Sequence, residues 1–173
     1  DGALRPLIEG LRSGADHFTG ELVFGPDGFM YFGVGVATNA AVVGFDNFIF
    51  AWLPDMPDFH DIPARDYTMV GHDFASINPL EFGLNPSGSM VRTGGFKPFG
   101  TPGLPGEVIR GNLFANGVIY GANAEGGDLH IHADGLRNPF GLGFSLDGRL
   151  FAVDQGYDSR GSRPVEGAPD PMW

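Results

Sequence analysis

One hairpin signature occurs twice in this chain, and it limits the fold more than any other feature. Leu22-Val-Phe24-Gly-Pro-Asp27-Gly28-Phe-Met30-Tyr31 aligns with Leu142-Gly-Phe144-Ser-Leu-Asp147-Gly148-Arg-Leu150-Phe151 at a constant offset of 120 residues. In each copy an Asp-Gly pair separates two apolar stretches. Gly accepts positive φ without a Cβ clash, so Asp-Gly between apolar runs is a strong hairpin signal. Residues 134–157 as a whole read as a polar turn, a strand, a tight turn, a second strand and a polar loop. Phe140, Leu142 and Phe144 alternate with Gly141, Gly143 and Ser145, the period-2 pattern of a half-buried strand, and Leu150–Val153 is the return strand. A hairpin used twice predicts a repeat architecture, and an all-β fold of the β-propeller type is its simplest form.

Punctuation agrees with short strands. The 173 residues include 29 Gly and 14 Pro, which helices of any length would not tolerate. Only Leu4–Arg12 offers a short helix, and Pro6 and Gly10 weaken it. The 42% hydrophobic and 13% aromatic content separates the chain from disordered sequences of similar Gly and Pro content. A formal charge of −11 without any Lys/Arg cluster argues against nucleic acid or anionic membrane surfaces as partners. The absence of cysteine removes disulfides and thiolate metal sites. No apolar run approaches the ~18 residues of a membrane-spanning helix. The chain begins at Asp1 rather than Met, as expected of a processed protein or an internal piece.

In chain order, Asp16-His17 leads into the first hairpin, which continues through Phe32, Val34 and Val36 to Thr38-Asn39. Residues 40–105 read as a long ordered insertion. Phe45, Phe48, Phe50, Trp52, Phe59, Phe74 and Phe82 oppose disorder, and structureless loops of that length are rare, so strands are expected within it. Glu107–Arg110, Gly117–Tyr120 and Asp128–His132 read as strands, the last with His130 and His132 on one face. At roughly 40–50 residues per blade the chain supplies about three to four blades, less than most closed propellers contain.

Three clusters carry possible chemistry. Asp beside His at 16–17 can serve an imidazole acting as a general base near neutral pH, although such a pair is also an ordinary loop feature. Arg137 offers a fixed fork of donors to carboxylate or quinone-like oxygens, and Asn138 adds a donor and an acceptor; Asn before Pro139 equally starts a turn. Asp154-Gln-Gly-Tyr-Asp158 gathers oxygens in a Gly-containing loop of the sort hard cations favour, without the spacing of an EF-hand. His130 and His132 could share a metal but fit a solvated face better, and His60 and His72 read as structural. Serine-hydrolase elbows, phosphate-binding loops and dinucleotide fingerprints are absent.

Asp16-His-x-x-Gly-x-Leu-x-x-Gly-Pro-Asp-Gly28 resembles a motif of the soluble quinoprotein glucose/sorbosone dehydrogenases. Leu136-Arg-Asn-Pro-Phe-Gly-Leu142 and Asp154-Gln-Gly-Tyr-Asp158 resemble two more, in the same order, and Arg160-Gly-Ser-Arg163-Pro-Val is similar to the sorbosone-dehydrogenase branch. The resemblance implies a six-bladed β-propeller of which this chain, residues 1–173 with the insertion around 40–105, covers roughly half. It implies oxidation of a sugar hydroxyl with pyrroloquinoline quinone and Ca²⁺ as cofactors, a separate electron acceptor, and a bacterial periplasmic or secreted location. His17 would then be the general base, with Asp16 orienting substrate or base. Arg137 and Asn138 would hold the quinone oxygens, Arg137 also stabilising developing negative charge. The backbone carbonyls of Gly156 and Tyr157 would bind Ca²⁺, Tyr157 standing where the family pattern has proline. Later cofactor-binding Lys and Arg residues of the family have no counterpart here. The alternatives are a non-catalytic propeller binding a carbohydrate or protein partner, and a Ca²⁺-dependent lactonase-type propeller hydrolase.

Overall fold

The computed structural model describes residues 2–85 and 87–173. The described residues form β1 (Thr19–Phe24), β2 (Met30–Val34), α1 (Phe45–Ile49), β3 (Tyr67–Thr68), β4 (Asp73–Ile77), β5 (Met90–Gly94), β6 (Val108–Ile109), β7 (Val118–Ala122), β8 (His130–Asp134), β9 (Pro139–Phe144) and β10 (Leu150–Asp154). A single 3₁₀ turn, Pro79–Glu81, stands between β4 and β5. The fold is mostly β with all pairings antiparallel, and none of the sheets closes on itself.

Both Asp-Gly signatures make hairpins. Each closes through a three-residue loop, Pro26-Asp27-Gly28 and Leu146-Asp147-Gly148, with the glycines at φ of 81° and 83°. A type I turn followed by a left-handed glycine accounts for this loop length. Asp27 secures its turn by accepting from the Phe29 N–H (3.1 Å) and the Tyr31 hydroxyl (2.7 Å).

β1, β2, β7 and β8 form one sheet in that order. Its central strands β2 and β7 are buried along their whole length because both faces are covered. On one face Tyr31 and Ile119 meet Leu136, Leu142 and Ala152 from the β9–β10 hairpin and its approach. On the other, Phe32, Val34, Val118 and Tyr120 receive Ile8 and Leu11. Those two residues explain why Leu4–Arg12, where Pro6 and Gly10 weaken any helix, is irregular chain: the segment lies along the sheet, and Gly10 takes φ 82°. The α-helix of the described residues is α1 instead, inside the 40–105 stretch, which also holds β3, β4 and β5 as the strands expected there. A third cluster, Val43, Trp52 and Leu53 with Phe48 and Phe59, anchors that stretch.

The hairpin packs onto the sheet by backbone approach. A Cβ on Gly20 would stand 2.9 Å from the Pro139 carbonyl oxygen, and one on Gly33 would overlap that same oxygen and lie 3.1 Å from Pro139 Cγ. A Cβ on Gly35 would be 2.5 Å from His17 Cβ and 2.8 Å from Asn138 Oδ1. Glycine at these three sites is therefore what lets residues 137–140 lie against β1 and β2.

Two register shifts shape the same region. Val153 pairs with Gly141 and Asp154 with Pro139, so Phe140 is the extra residue of a bulge. The period-2 pattern predicts Phe140 on the same face as Leu142 and Phe144; the bulge turns it outward, 53% exposed. A matching irregularity lies between Thr19 and Leu22 on β1.

Gly33→Ala is expected to lower stability by about 3 kcal/mol or more, because backbone rather than a mobile side chain blocks the new methyl. Gly143→Ala, whose Cβ would meet nothing within 4 Å, is expected to change stability by less than about 0.5 kcal/mol. Urea unfolding of the two variants checks this.

Candidate functional site

The hairpin's approach brings the two ends of the sequence signature together. Val36 connects them directly: its N–H donates to the Arg137 carbonyl (2.8 Å), and its own carbonyl accepts from His17 Nδ1 (2.8 Å). A carbonyl can only accept, so Nδ1 carries the proton and the Nε2 lone pair is left as the basic site. No hydrogen-bond partner of Nε2 exists among the described residues. His17 is buried, and burial is the main cause of a pKa below the usual 6.5; the nearby Arg137 and Arg160 charges push the same way, while the Val36 bond and Asp16 oppose them.

Asp16 does not touch the imidazole through its carboxylate, which is wholly engaged elsewhere. Oδ1 accepts from Trp52 Nε1 (2.7 Å) and Asn47 Nδ2 (3.1 Å), and Oδ2 pairs with Arg160 Nη2 (2.7 Å). The donors come from α1 and the turn after it. That helix buries Asp46 and Asn47 and leaves Ile49 and Phe50 exposed, the reverse of an ordinary surface helix. Its polar face points at the site.

Arg137 has 1% of its side chain exposed. Nε and Nη2 donate to the Asn39 carbonyl and to Asn39 Oδ1 (3.0 Å each), Nη1 to the Gly156 carbonyl (2.6 Å), and Nη2 also to Asp158 Oδ2 (2.6 Å). The backbone N–H groups of Arg137 and Asn138 both donate to the buried Asp154 carboxylate (3.1 and 2.6 Å). Asn138 is less enclosed and gives its side-chain amide to Gln155 Oε1 (3.1 Å). Tyr157 lays its ring under the Arg137 guanidinium, 6.0 Å from its centre.

A cleft of about 380 Å³ opens beside these groups. Asp16, His17, Asn138, Gln155, Asp158 and Arg160 give it polar walls, and Phe18, Phe50 and Phe140 give it apolar ones. Both bulged strands reach it, through Thr19 and Gly20 of β1 and Phe140 of β9. Arg137 stands behind the cleft rather than in its wall. Gly156 and Tyr157 also lie outside it.

Among the described residues no group of three or more His, Asp or Glu is arranged to hold a metal. His130 and His132 instead pack edge-on against Phe29 and Tyr31 (centroids 5.8 and 4.9 Å). His72 packs on Phe74, and His60 bonds the Asp58 carbonyl through Nδ1 (2.8 Å). The Gly156 carbonyl already faces a guanidinium, so as arranged here it does not suit a cation.

Sequence reasoning passed over Arg160, Asn39, Asp46 and Trp52 as site components. Asn39 Nδ2 reaches the carbonyls of Asp158, Arg160 and Arg163 (2.7, 3.2 and 3.2 Å), clamping a loop with no regular structure. Two arginines spaced by Gly-Ser in an otherwise unpatterned tail were the available signal.

The fold and site thus define a mostly β protein with a buried histidine at the wall of a polar cleft, at the junction of two hairpins. Its sequence is similar to that of quinoprotein glucose dehydrogenase B from Acinetobacter calcoaceticus, 27% identical over 157 residues, with 88% of this chain and 24% of that protein covered. The chain therefore spans about a quarter of that relative's length. No protein-family model matches the chain, and no solved structure matches it significantly. No helix of the described residues is long and apolar enough to cross a membrane.

The depressed His17 pKa has a consequence for stability. The unfolded chain binds a proton near pH 6.5 that the folded chain takes up only at lower pH, so the folded state binds fewer protons in between. Stability is expected to fall as pH drops below about 6.5 and to level off below the folded-state pKa. Urea midpoints measured across that window should show the slope in the parent chain and a reduced slope in His17→Gln.

Proposed function

We propose that the protein carrying this chain is a quinoprotein oxidoreductase that oxidises a hydroxyl of a sugar, built on a β-propeller to which residues 1–173 contribute. The observation that carries this reading is the His17 imidazole: its Nδ1 is fixed on Val36, and its Nε2 has no hydrogen-bond partner among the described residues at the wall of a ligand-sized cleft. The distant likeness to a quinoprotein glucose dehydrogenase supports the same class. A bacterial periplasmic or secreted location, and a separate electron acceptor, follow from that class.

The donor set suits a quinone in part. Asn138 and Arg160 line the cleft and can address anionic or carbonyl oxygens. Arg137 acts on the cleft from behind, holding Gly156 and Asp158 and adding its positive charge to the field around His17. Bound pyrroloquinoline quinone would supply a hydride acceptor. His17 Nε2 takes the proton of the reacting hydroxyl, and the low pKa keeps it unprotonated and ready at neutral pH. Phe18, Phe50 and Phe140 offer apolar faces to a sugar's C–H surface. Ca²⁺ at the Gly156 and Tyr157 carbonyls would require Arg137 to release the Gly156 oxygen first.

The saturation of Arg137 favours a second reading, a propeller that binds a carbohydrate without catalysis, with the same cleft as the binding site.

Pyrroloquinoline quinone titrated into the full-length protein, with and without Ca²⁺, separates the two. Binding is expected for the native protein and for His17→Ala, with aldose oxidation by an artificial dye acceptor falling about 10²–10⁴-fold in His17→Ala. Asn138→Ala should weaken the quinone itself. Sugar binding without quinone binding or dye reduction would establish the non-catalytic reading instead.

A further inference from the structure

Arg160 comes from the loop after β10 and meets three carboxylates from three parts of the chain. Nη2 pairs with Asp16 Oδ2 (2.7 Å), Nε with Asp158 Oδ2 (3.1 Å), and Nη1 with Asp46 Oδ2. Asp16 is 144 residues away and Asp46 114. The guanidinium also stacks over the Phe50 ring at 4.7 Å. A planar fork with donors on three sides can satisfy all three partners at once; the point charge of a lysine cannot.

The surrounding backbone is built to deliver this group. Asn39 clamps the loop through the carbonyls on either side of it. Gly161, at φ 74°, lets the loop lie against Asp46, whose carboxylate would stand 2.6 Å from any Cβ placed there. Asp46 is buried, which raises its pKa, and the Arg160 charge is the main influence opposing that rise. The carboxylates in turn hold the Arg160 guanidinium firmly charged against its own burial.

We propose that Arg160 is a positioning residue for His17, drawing Asp16 and Asp158 onto one guanidinium and so fixing the turn that carries the imidazole against the loop that carries the acceptor of Arg137. The functional side of this proposal rests on His17 being the base; the placement of the ring can be measured without that reading.

The groups facing His17 define what its ring should report. Asp16 comes from its own turn, Arg137 from the approach to β9, Arg160 from the loop after β10, and the Val36 carbonyl from beyond β2. Loss of Arg160 removes one of two cations that oppose protonation. It also leaves the Asp16 charge uncompensated, which favours protonation. Both changes have the same sign.

The test is an NMR titration of the His17 ring in the full-length chain and in Arg160→Met, Arg160→Lys and Asp46→Asn. The His17 midpoint is expected to rise by about one pH unit in Arg160→Met, and by less in Arg160→Lys, which keeps the charge and loses the fork. Asp46→Asn, which breaks the tie on the far side of the guanidinium, should leave the midpoint in place even where it lowers the melting temperature. An unmoved midpoint in Arg160→Met would overturn the proposal, as would an equal shift in Asp46→Asn, the mark of a general staple. Should Arg160→Met not fold, Arg160→Lys decides: a rise supports the proposal and an unmoved midpoint overturns it. Failure of quinone binding would remove the proposed reaction and leave this readout unchanged, so the two ideas fail separately.

Discussion

A guanidinium with one per cent of its side chain exposed cannot be left to solvent, and the architecture around Arg137 follows from that requirement. An unpaired buried charge is worth several kcal/mol of destabilisation, about 3–5 when one partner of a pair is removed. Here the acceptors are the Asn39 carbonyl and side chain, the Gly156 carbonyl and Asp158. They lie after β2 and after β10, far apart in sequence. Satisfying one side chain thus forces two loops to meet. Asp154 completes the arrangement by taking the backbone N–H groups of both Arg137 and Asn138. The cleft beside His17 exists because those loops are held at that separation.

The duplicated hairpin does a different job. Each copy supplies an apolar strand pair, and the two pack face to face around Tyr31, Leu136 and Leu142. Glycines at 20, 33 and 35 set how close they come. The bulge in each first strand then aims residues out of the core. Phe140 leaves the apolar face, the β1 ladder shifts register between Thr19 and Leu22, and Phe140, Thr19 and Gly20 line the cleft. The same local irregularity that weakens each sheet edge makes the walls of the site.

The hairpins were legible because their signals are local: an Asp-Gly pair and a period of two. His17 and Arg137 were legible as chemistry, and their meeting across Val36 follows from the strand register that the hairpins impose. The outward turn of Phe140 was not legible, since a bulge depends on pairing with β10 and leaves no mark in the alternation. The irregular lead-in over Leu4–Arg12 was legible from Pro6 and Gly10, which weaken any helix there; that Ile8 and Leu11 lie on the sheet was not. Arg160 lay beyond reach for a simpler reason. Its partners are more than a hundred residues away, and no periodicity links them.

The long stretch between β2 and β7 is then part of the site rather than an ornament on it. α1 turns Asp46 and Asn47 inward, and Trp52 follows them, so that three polar side chains converge on Asp16 and Arg160. A helix inserted for packing alone would bury Ile49 and Phe50, yet these are exposed, and Phe50 forms a wall of the cleft. Asp16 carries its charge within a set of donors that this segment largely provides. Without the segment Asp16 would lose the neutral donors Asn47 and Trp52 and keep Arg160, while the guanidinium would lose both Asp46 and the Phe50 ring it rests on. The electrostatic setting of His17 is therefore shared between the turn before β1 that carries it and the stretch between β2 and β7.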